Sequence, residues 1–349
     1  MVNSTSHSSA ARPRVVLRDI AQAAGVSVMT VSRALRHGEH VSPALRKRLV
    51  KLARRLGYEP DPMLASLVVY RHAQRPHAQH SVIAYLTTDE TREGYRRLAV
   101  TGQVFLGAEA RGRELGFRVE PIWLPDLTKR GRDPTQVLLA RGIRGLLVAR
   151  LPKVGMTIDL DWERFSCVAV GYSLLKPAFH YVASHLFQDL CLAFDETLAR
   201  GYRRPMMIMT EDSDRRTFHQ FHGAFLFKQQ KLPAADRLPV LWAKDEDPIE
   251  ELRHFHSHHQ PDVLIAPWPG LLKTVHKLGL RPPRGLGFVD LNLESNEEPC
   301  SGIFQNFPRI GRAAIDRLNM QLHLGERGVP AVPEGTTVFG QWVPGRTLR

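Results

Sequence analysis

Two groups of side chains in the first sixty residues could act on a partner. Ser32, Arg33 and Arg36 fall on the outer side of a short helical run that starts at Val28. Arg46, Lys47, Arg48, Lys51, Arg54 and Arg55 share one face of a second run that starts at Ser42-Pro43. Guanidinium, ammonium and hydroxyl donors gathered this way suit phosphate oxygens and base edges. Residues 1–76 hold 13 Lys/Arg against Asp19, Glu39, Glu59 and Asp61, a net +9 out of +13 for the 349-residue chain. A small basic segment on a nearly balanced remainder is the footprint of a polyanion partner. A solvated helix face would carry the same charge, so the fold behind it has to decide.

The other chemistry-bearing groups are scattered. His254-Phe-His-Ser-His-His259 runs into Gln260-Pro261 with no cysteine near it, which reads as a solvated helix end and not a metal site. His219 and His222 stand three apart and read as surface or pocket residues. Cys167, Cys191 and Cys300 form no CxxC pair and read as reduced thiols. There is no HExxH, GxSxG, Walker A or complete GxGxxG. The expectation is a binding protein with no cofactor and no metal, not an enzyme. No apolar run approaches the roughly 18 residues needed to span a membrane, and Met1–Arg14 lacks the apolar stretch of a secretory signal, so a cytoplasmic protein is expected.

The elements that position the basic residues are legible. Leu17, Ile20, Ala21 and Ala24 line one face of a first helix, with Ala21 small enough for a close crossing. Gly25 falls where the turn between helices needs a positive φ. Ser27 suits the N-cap of a second helix, whose Val31 and Leu35 point back at the first. Ser42 and Pro43 start a third helix as cap and N1 residue. Leu45, Leu49, Leu52 and Leu56 give that helix its packing face.

Beyond a polar stretch, Arg71–His80, the texture changes to apolar strand runs alternating with helices. Strands are expected at 82–86, 118–123, 145–149, 167–171, 205–210, 240–242, 262–266, 285–289 and 302–305. Helices are expected at 104–115, 186–200, 218–231, 249–255 and 271–278. The pattern implies an α/β fold: a three-helix headpiece, then two lobes of parallel sheet flanked by helices, with a cleft at the carboxyl ends of the strands. The expected organisation is a disordered tail over 1–13, a headpiece over 14–60, a hinge helix and linker over 61–80, and a two-lobed domain over 81–345.

The stretches VVLRDIAQAAGVSVMTVSRAL and HVSPALRKRLVKLARRLGYEPD, residues 15–61, resemble the lactose-repressor family of bacterial regulators, whose pattern is DVAxxAGVSxxTVSRVLN. The resemblance implies a homodimer on a near-palindromic operator, a hinge helix, and a sensor domain like periplasmic sugar-binding proteins. It puts the second helix in the major groove. Val28 and Met29 take the first recognition positions and can touch thymine methyls. Arg33 takes the family's guanine-reading arginine, and Thr30 and Ser32 take phosphate-bonding positions. Leu17, Ser27 and Arg36 complete the candidate contacts on the headpiece.

The resemblance also places Leu67 where the family inserts a leucine into the minor groove, with Asp61 and Pro62 starting a helix through Val69. Packing of Leu64, Leu67 and Val68 between two hinges is the alternative. In the sensor domain Phe307–Leu318 resembles the family's returning helix, and Gly287-Phe-Val-Asp290 its aspartate loop. Val289 and Gln220 stand where the family has an effector-binding aspartate and arginine, so a neutral ligand, a monosaccharide or small oligosaccharide, is expected. Thr88, Gln220 and Asp290 would hold it, with Trp268 stacking on it or packing in the core. An anionic ligand would instead use Arg215 or Arg216. The function implied is a DNA-binding regulator, acting as a repressor and controlled by a small molecule. The alternatives are a sugar-processing enzyme with a fused headpiece, and a sensor domain that serves only dimerisation.

Overall fold

The computed structural model describes residues 15–36, 41–58, 81–97, 99–245, 247–268, 270–295 and 299–349. The expected tail over 1–13 and hinge helix with Leu67 lie outside them. The chain divides into two compact units, Met1–Ala78 and Gln79–Arg349.

The first unit contains α1 (Leu17–Ala24), α2 (Val28–Arg36) and α3 (Pro43–Leu56). Each starts on a local hydrogen bond. The Val16 amide donates to the Asp19 carboxylate at 2.8 Å, the Thr30 amide to Ser27 Oγ at 3.1 Å, and the Leu45 amide to Ser42 Oγ at 3.4 Å. Gly25 ends α1 at φ 69°, the left-handed conformation that only glycine adopts at little cost. Ile20, Ala21, Ala24, Val31, Ala34, Leu49, Leu52 and Ala53 form the buried centre. Leu56 departs from the expected face: it lies in the last turn of α3 at 36% exposure, and Ala53 one turn earlier takes the inward place.

The second unit holds two six-stranded sheets. In chain order its elements are β1 (Ser81–Thr87), α4 (Ala99–Glu114), β2 (Phe117–Trp123), α5 (Leu124–Thr128), α6 (Pro134–Ala140), β3 (Gly145–Val148), β4 (Ser166–Val170) and β5 (His180–Ser184). Then come α7 (Leu186–Ala199), β6 (Pro205–Met209), α8 (Glu211–Arg216), α9 (Gln220–Gln229), β7 (Leu241–Trp242), α10 (Ile249–His259), β8 (Val263–Ala266) and α11 (Leu271–Lys277). The last are β9 (Gly287–Leu293), β10 (Gly302–Phe304), α12 (Phe307–Leu324), β11 (Gly335–Val338) and β12 (Gln341–Val343).

The first sheet runs β11-β5-β4-β3-β1-β2 and is parallel throughout. The second runs β12-β10-β9-β8-β6-β7, with only β12 antiparallel. Strands β3, β4, β6 and β8 are buried along their whole length, as parallel strands covered on both faces must be. The chain passes between sheets three times, from β5 to α7, β10 to α12 and β11 to β12. The expected strands are all present; β5, β11 and β12 are additional.

Two contacts fix this arrangement, one within the first lobe and one at the crossings between the lobes. In the first lobe α4 and α12 cross with their backbones touching. A Cβ on Gly107 would lie 2.0 Å from the Pro308 carbonyl oxygen, and one on Gly311 would lie 1.9 Å from that of Val104. Beside the crossing, Arg111 binds Asp316 at 2.6 Å and Arg312 binds Glu114 at 2.8 Å. Hydrogen bonds from Arg312 and Arg111 lower the Glu114 carboxyl to about 2. At the crossings between lobes, Asp189 in the first turn of α7 accepts from the Gly340 amide at 2.8 Å, tying β5–α7 to β11–β12. Its other oxygen is buried with no hydrogen-bond partner. Burial raises this carboxyl to about 7, opposed by the Gly340 bond.

Two outcomes follow. Gly311→Ala should destabilise the larger unit by about 1–3 kcal/mol, because the new methyl meets backbone that cannot turn aside; an unshifted urea midpoint would show a looser crossing. The raised Asp189 carboxyl holds its proton more tightly folded than unfolded. Its contribution is therefore fully present below 3.8 and lost as pH rises to about 7. Asp189→Asn cannot lose that proton and should be the more stable form at alkaline pH, by on the order of a few kcal/mol. Urea curves that shift with pH identically in parent and variant would show that Asp189 titrates normally.

Candidate nucleic-acid interface and ligand cavity

In the first unit, α2 buries Val31 and Ala34 against α1 and α3. That fixes which side faces out: Val28 and Met29 are 45% and 61% exposed, and Arg33 is exposed between half-buried Ser32 and buried Ala34. Ser27 caps the helix, and its hydroxyl also meets the Thr30 hydroxyl at 2.8 Å, so these two expected contacts form one fixed pair. Leu17 is half-buried at the start of α1. Arg36 closes α2, and its side chain lies outside what the structure describes. Leu17, Ser27, Val28, Met29, Thr30, Ser32 and Arg33 therefore all belong to α1, α2 or the turn joining them.

The basic face of α3 is split in two by its hydrogen bonds. Arg46 Nε donates to the Ala34 carbonyl and Arg48 Nη2 to the Ala24 carbonyl, both at 3.3 Å. These guanidiniums cap the carboxyl ends of α2 and α1, where a cation meets the negative end of the helix dipole. Lys47, Lys51, Arg54 and Arg55 are exposed. The capping role was not legible in a run of arginines, because it depends on where α3 crosses the other two helices.

In the second unit a cavity of about 230 Å³ is lined from both lobes. Tyr85, Val104, Phe307 and Ile310 supply an apolar wall that belongs to the first lobe's core. Arg150, Tyr172 and Ser173 follow β3 and β4, while Asp212, Ser213 and Arg216 come from α8. Trp268, Asn292 and Gln305 close the second lobe's side. A chain of amides fixes that side: Gln305 donates to the Leu291 carbonyl and to Asn292 Oδ1, both at 2.7 Å, and the Asn292 amide donates to the Pro267 carbonyl, next to Trp268.

Of the four expected effector residues, Trp268 lines this cavity; Thr88, Gln220 and Asp290 do not. Thr88 follows β1, with its hydroxyl buried and without a hydrogen-bond partner. Gln220 opens α9 beside Tyr172, whose phenol is pushed up by burial and held back by the Gln220 amide. The Asp290 carboxylate accepts from the Asn292 backbone N–H at 2.8 Å, and Asn292, two along β9, reaches the cavity. Val289 is fully buried in the core. Arg216 lines the cavity, but its guanidinium already binds the Leu151 and Pro152 carbonyls at 2.9 and 2.7 Å and the Asp212 carboxylate. Arg215 is exposed and does not line it. Asn292 could have been found as the i+2 neighbour of Asp290 on a strand. Arg150, Asp212 and Gln305 carried no local signal.

Among the described residues no group of three or more His, Cys, Asp or Glu side chains could hold a metal ion, and no helix is long and apolar enough to cross a membrane. Cys167, Cys191 and Cys300 are buried and form no disulfide, and burial pushes the Cys167 thiol up.

Comparison with known proteins agrees with both parts of the fold. Residues 16–61 match the family model "Bacterial regulatory proteins, lacI family". The chain is 26% identical over 210 residues to the sucrose operon repressor of Escherichia coli; that match spans 59% of each protein. It is 30% identical over 335 residues to the HTH-type transcriptional regulator GalR of Lacticaseibacillus casei, spanning 88% of this chain and 92% of that one. The crystal structure of the lac repressor dimer bound to operator and the anti-inducer ONPF shares the fold. Its TM-score is 0.55 at 20% identity, and the match covers 96% of this chain and 100% of that one. With the identity to GalR sustained along nearly its whole length, the chain belongs to the lacI family of bacterial regulatory proteins.

Proposed function

We propose that this protein is a cytoplasmic transcription regulator, a repressor that binds a near-palindromic operator as a homodimer and responds to a neutral sugar. The observation that carries the DNA-binding part is the outward face of α2. Its helix is capped by Ser27 and backed by Val31 and Ala34, so Val28, Met29 and Arg33 project together from a rigid support. Arg33 reads a guanine through two parallel hydrogen bonds, Val28 and Met29 contact thymine methyls, and the Ser27–Thr30 pair and Ser32 bond phosphates. Leu17 and Arg36 flank them, and Leu67 enters the minor groove from the hinge.

The cavity supports the effector part. Aromatic rings of Tyr85, Tyr172 and Trp268 together with the amides of Asn292 and Gln305 suit a polyhydroxylated ring. Relatives named for sucrose operon repression favour the same ligand class. In this reading Trp268 stacks on the sugar, while Asn292, Gln305 and Arg150 bond its hydroxyls. Asp290 and Gln220 act at one remove, through Asn292 and Tyr172, and Thr88 offers its unpartnered hydroxyl at the edge. The protein binds and releases its ligand without a chemical step.

Selection from random DNA should enrich a site with dyad symmetry, and affinity should fall steeply with salt, as phosphate contacts require. Arg33→Ala should relax preference at one base per half-site, at about 1–3 kcal/mol, whereas Lys51→Ala should weaken binding to all sequences alike. Equal, sequence-independent losses from both would reduce Arg33 to a phosphate contact. Arg46 is unsuitable for this comparison because it caps α2.

For the effector, a thermal-shift screen of neutral sugars, sugar phosphates and nucleobases should find stabilisation by a neutral sugar, lost in Trp268→Ala. Stabilisation by phosphorylated compounds alone would sink the neutral-sugar assignment. No stabilisation by any of them would favour a sensor domain that serves only dimerisation.

A further inference from the structure

The short segment between α8 and α9 does something that ligand binding alone does not require. It reaches from the second lobe to the first at three points. Arg216 Nη1 and Nη2 donate to the Leu151 and Pro152 carbonyls at 2.9 and 2.7 Å, and the guanidinium is anchored from its own lobe by Asp212. The Phe218 ring, nearly half exposed, lies against Tyr172 with centroids 5.3 Å apart. Gln220 meets the phenol of the same tyrosine. On the first-lobe side the receiving loop is itself fixed, because the Leu151 amide donates to Ser173 Oγ at 2.7 Å.

The backbone of this segment is unusual. Phe218 and His219 stand next to each other at φ 50° and 58°, in the left-handed region that bulky residues rarely enter. Neither is glycine or asparagine. What holds them there is local: the His219 amide donates to the Asp214 carbonyl at 2.9 Å, and its ring nitrogen Nδ1 meets the Asp214 carboxylate at 2.6 Å. Asp214 is buried, and its second oxygen has no hydrogen-bond partner. An arginine fork across the cleft thus stands immediately before a turn whose next residues are in a sparsely populated conformation.

We propose that the segment Arg216–Gln220 is a spring-loaded latch across the cavity, in which the Arg216 fork and the Phe218–Tyr172 contact hold the lobes together while the left-handed backbone of Phe218 and His219 opposes them. The latch sets how far the cleft is closed before any ligand arrives. It rests on contacts between the lobes and not on the identity of the effector, so it is tested without one.

The test uses the full-length chain with Glu90→Cys and Lys244→Cys, exposed positions that follow β1 and β7, one in each lobe. The native cysteines are buried, so spin labels go to the new sites. Labelled protein is diluted into unlabelled protein, and the distance distribution is recorded with no ligand added. Arg216→Ala should raise the ratio of long to short separations about tenfold or more, the loss expected when bonds from a charged donor to carbonyls are removed. Arg216→Lys keeps the charge without the fork and should fall between the two. Arg215→Ala, the exposed neighbour, should match the parent. His219→Ala and His219→Asn both lose the ring's bond to Asp214, so the asparagine variant should shift the ratio toward short separations relative to the alanine variant, because asparagine adopts the left-handed conformation at lower cost. Identical distributions for Arg216→Ala, Arg216→Lys and the parent would overturn the latch, whatever the DNA or effector assays show. Opening of His219→Asn relative to His219→Ala would overturn the opposing role of the backbone.

Discussion

The three chain crossings between the sheets constrain the rest of the larger unit. A parallel sheet is covered on both faces, so apart from its edge strands its open polar groups lie in the loops at the strand ends. By passing from β5 to α7, from β10 to α12 and from β11 to β12, the chain belongs to both lobes at once. The cavity residues come from β1, β9 and the segments after β3, β4, β6 and β8, from α4 and α8, and from the crossings themselves. Asp189 sits among these crossings with one oxygen on Gly340 and the other unpartnered. A buried carboxyl so placed makes the join between crossings sensitive to charge.

The headpiece answers a different problem. Eight buried residues, three of them large, make a small core, and a core that size contributes little stability alone. Local hydrogen bonds make up part of the difference. The Ser27 and Ser42 caps satisfy amides that a short helix leaves open, each at about 1 kcal/mol, and Asp19 accepts from the Val16 amide at the start of α1. Arg46 and Arg48 satisfy carbonyls at the other ends. Like charges crowded on α3 repel one another, and placing two of them on carbonyl groups turns part of that repulsion into attachment between helices. The result is that α2 presents Val28, Met29 and Arg33 from a fixed direction, which reading of base edges demands.

How much of this the sequence disclosed depends on the range of the interaction. Gly25, Ser27 and Ser42-Pro43 act within four residues of themselves, so they could be read directly and the structure places them as turn and caps. Long apolar runs gave the central strands for the same reason. β11 and β12 carried no such signal, because Gly335–Val338 is an exposed edge strand with no apolar run and Gln341–Val343 buries only Val343. The returning helix runs six residues past the expected Leu318, to Leu324, since in its last turns only Gln321 is buried among half-buried and exposed residues and the apolar pattern fades. The cavity was the least legible. Trp268 could be guessed from its loop, but Asn292, Gln305 and Arg150 meet only because strands far apart in sequence end side by side.

The same geometry bears on how a small ligand could matter to such a protein. A ligand shifts a conformational equilibrium only by its difference in affinity between the two states. A site confined to one lobe would bind equally well with the cleft open or shut and would shift nothing. Here the walls are divided: Tyr85 and Phe307 on one side, Trp268 and Asn292 on the other. A molecule that touches both sides loses half its contacts when the lobes part, so differential affinity is built into the division itself. What that difference must overcome is the bias already present between the lobes. Two left-handed residues at about 1–3 kcal/mol each are comparable to the few hydrogen bonds Arg216 makes across the cleft. In the proposed latch, opposed contributions of similar size leave a small net bias, and a small bias is one that a ligand with no strong charge pairing to offer would have enough binding energy to move.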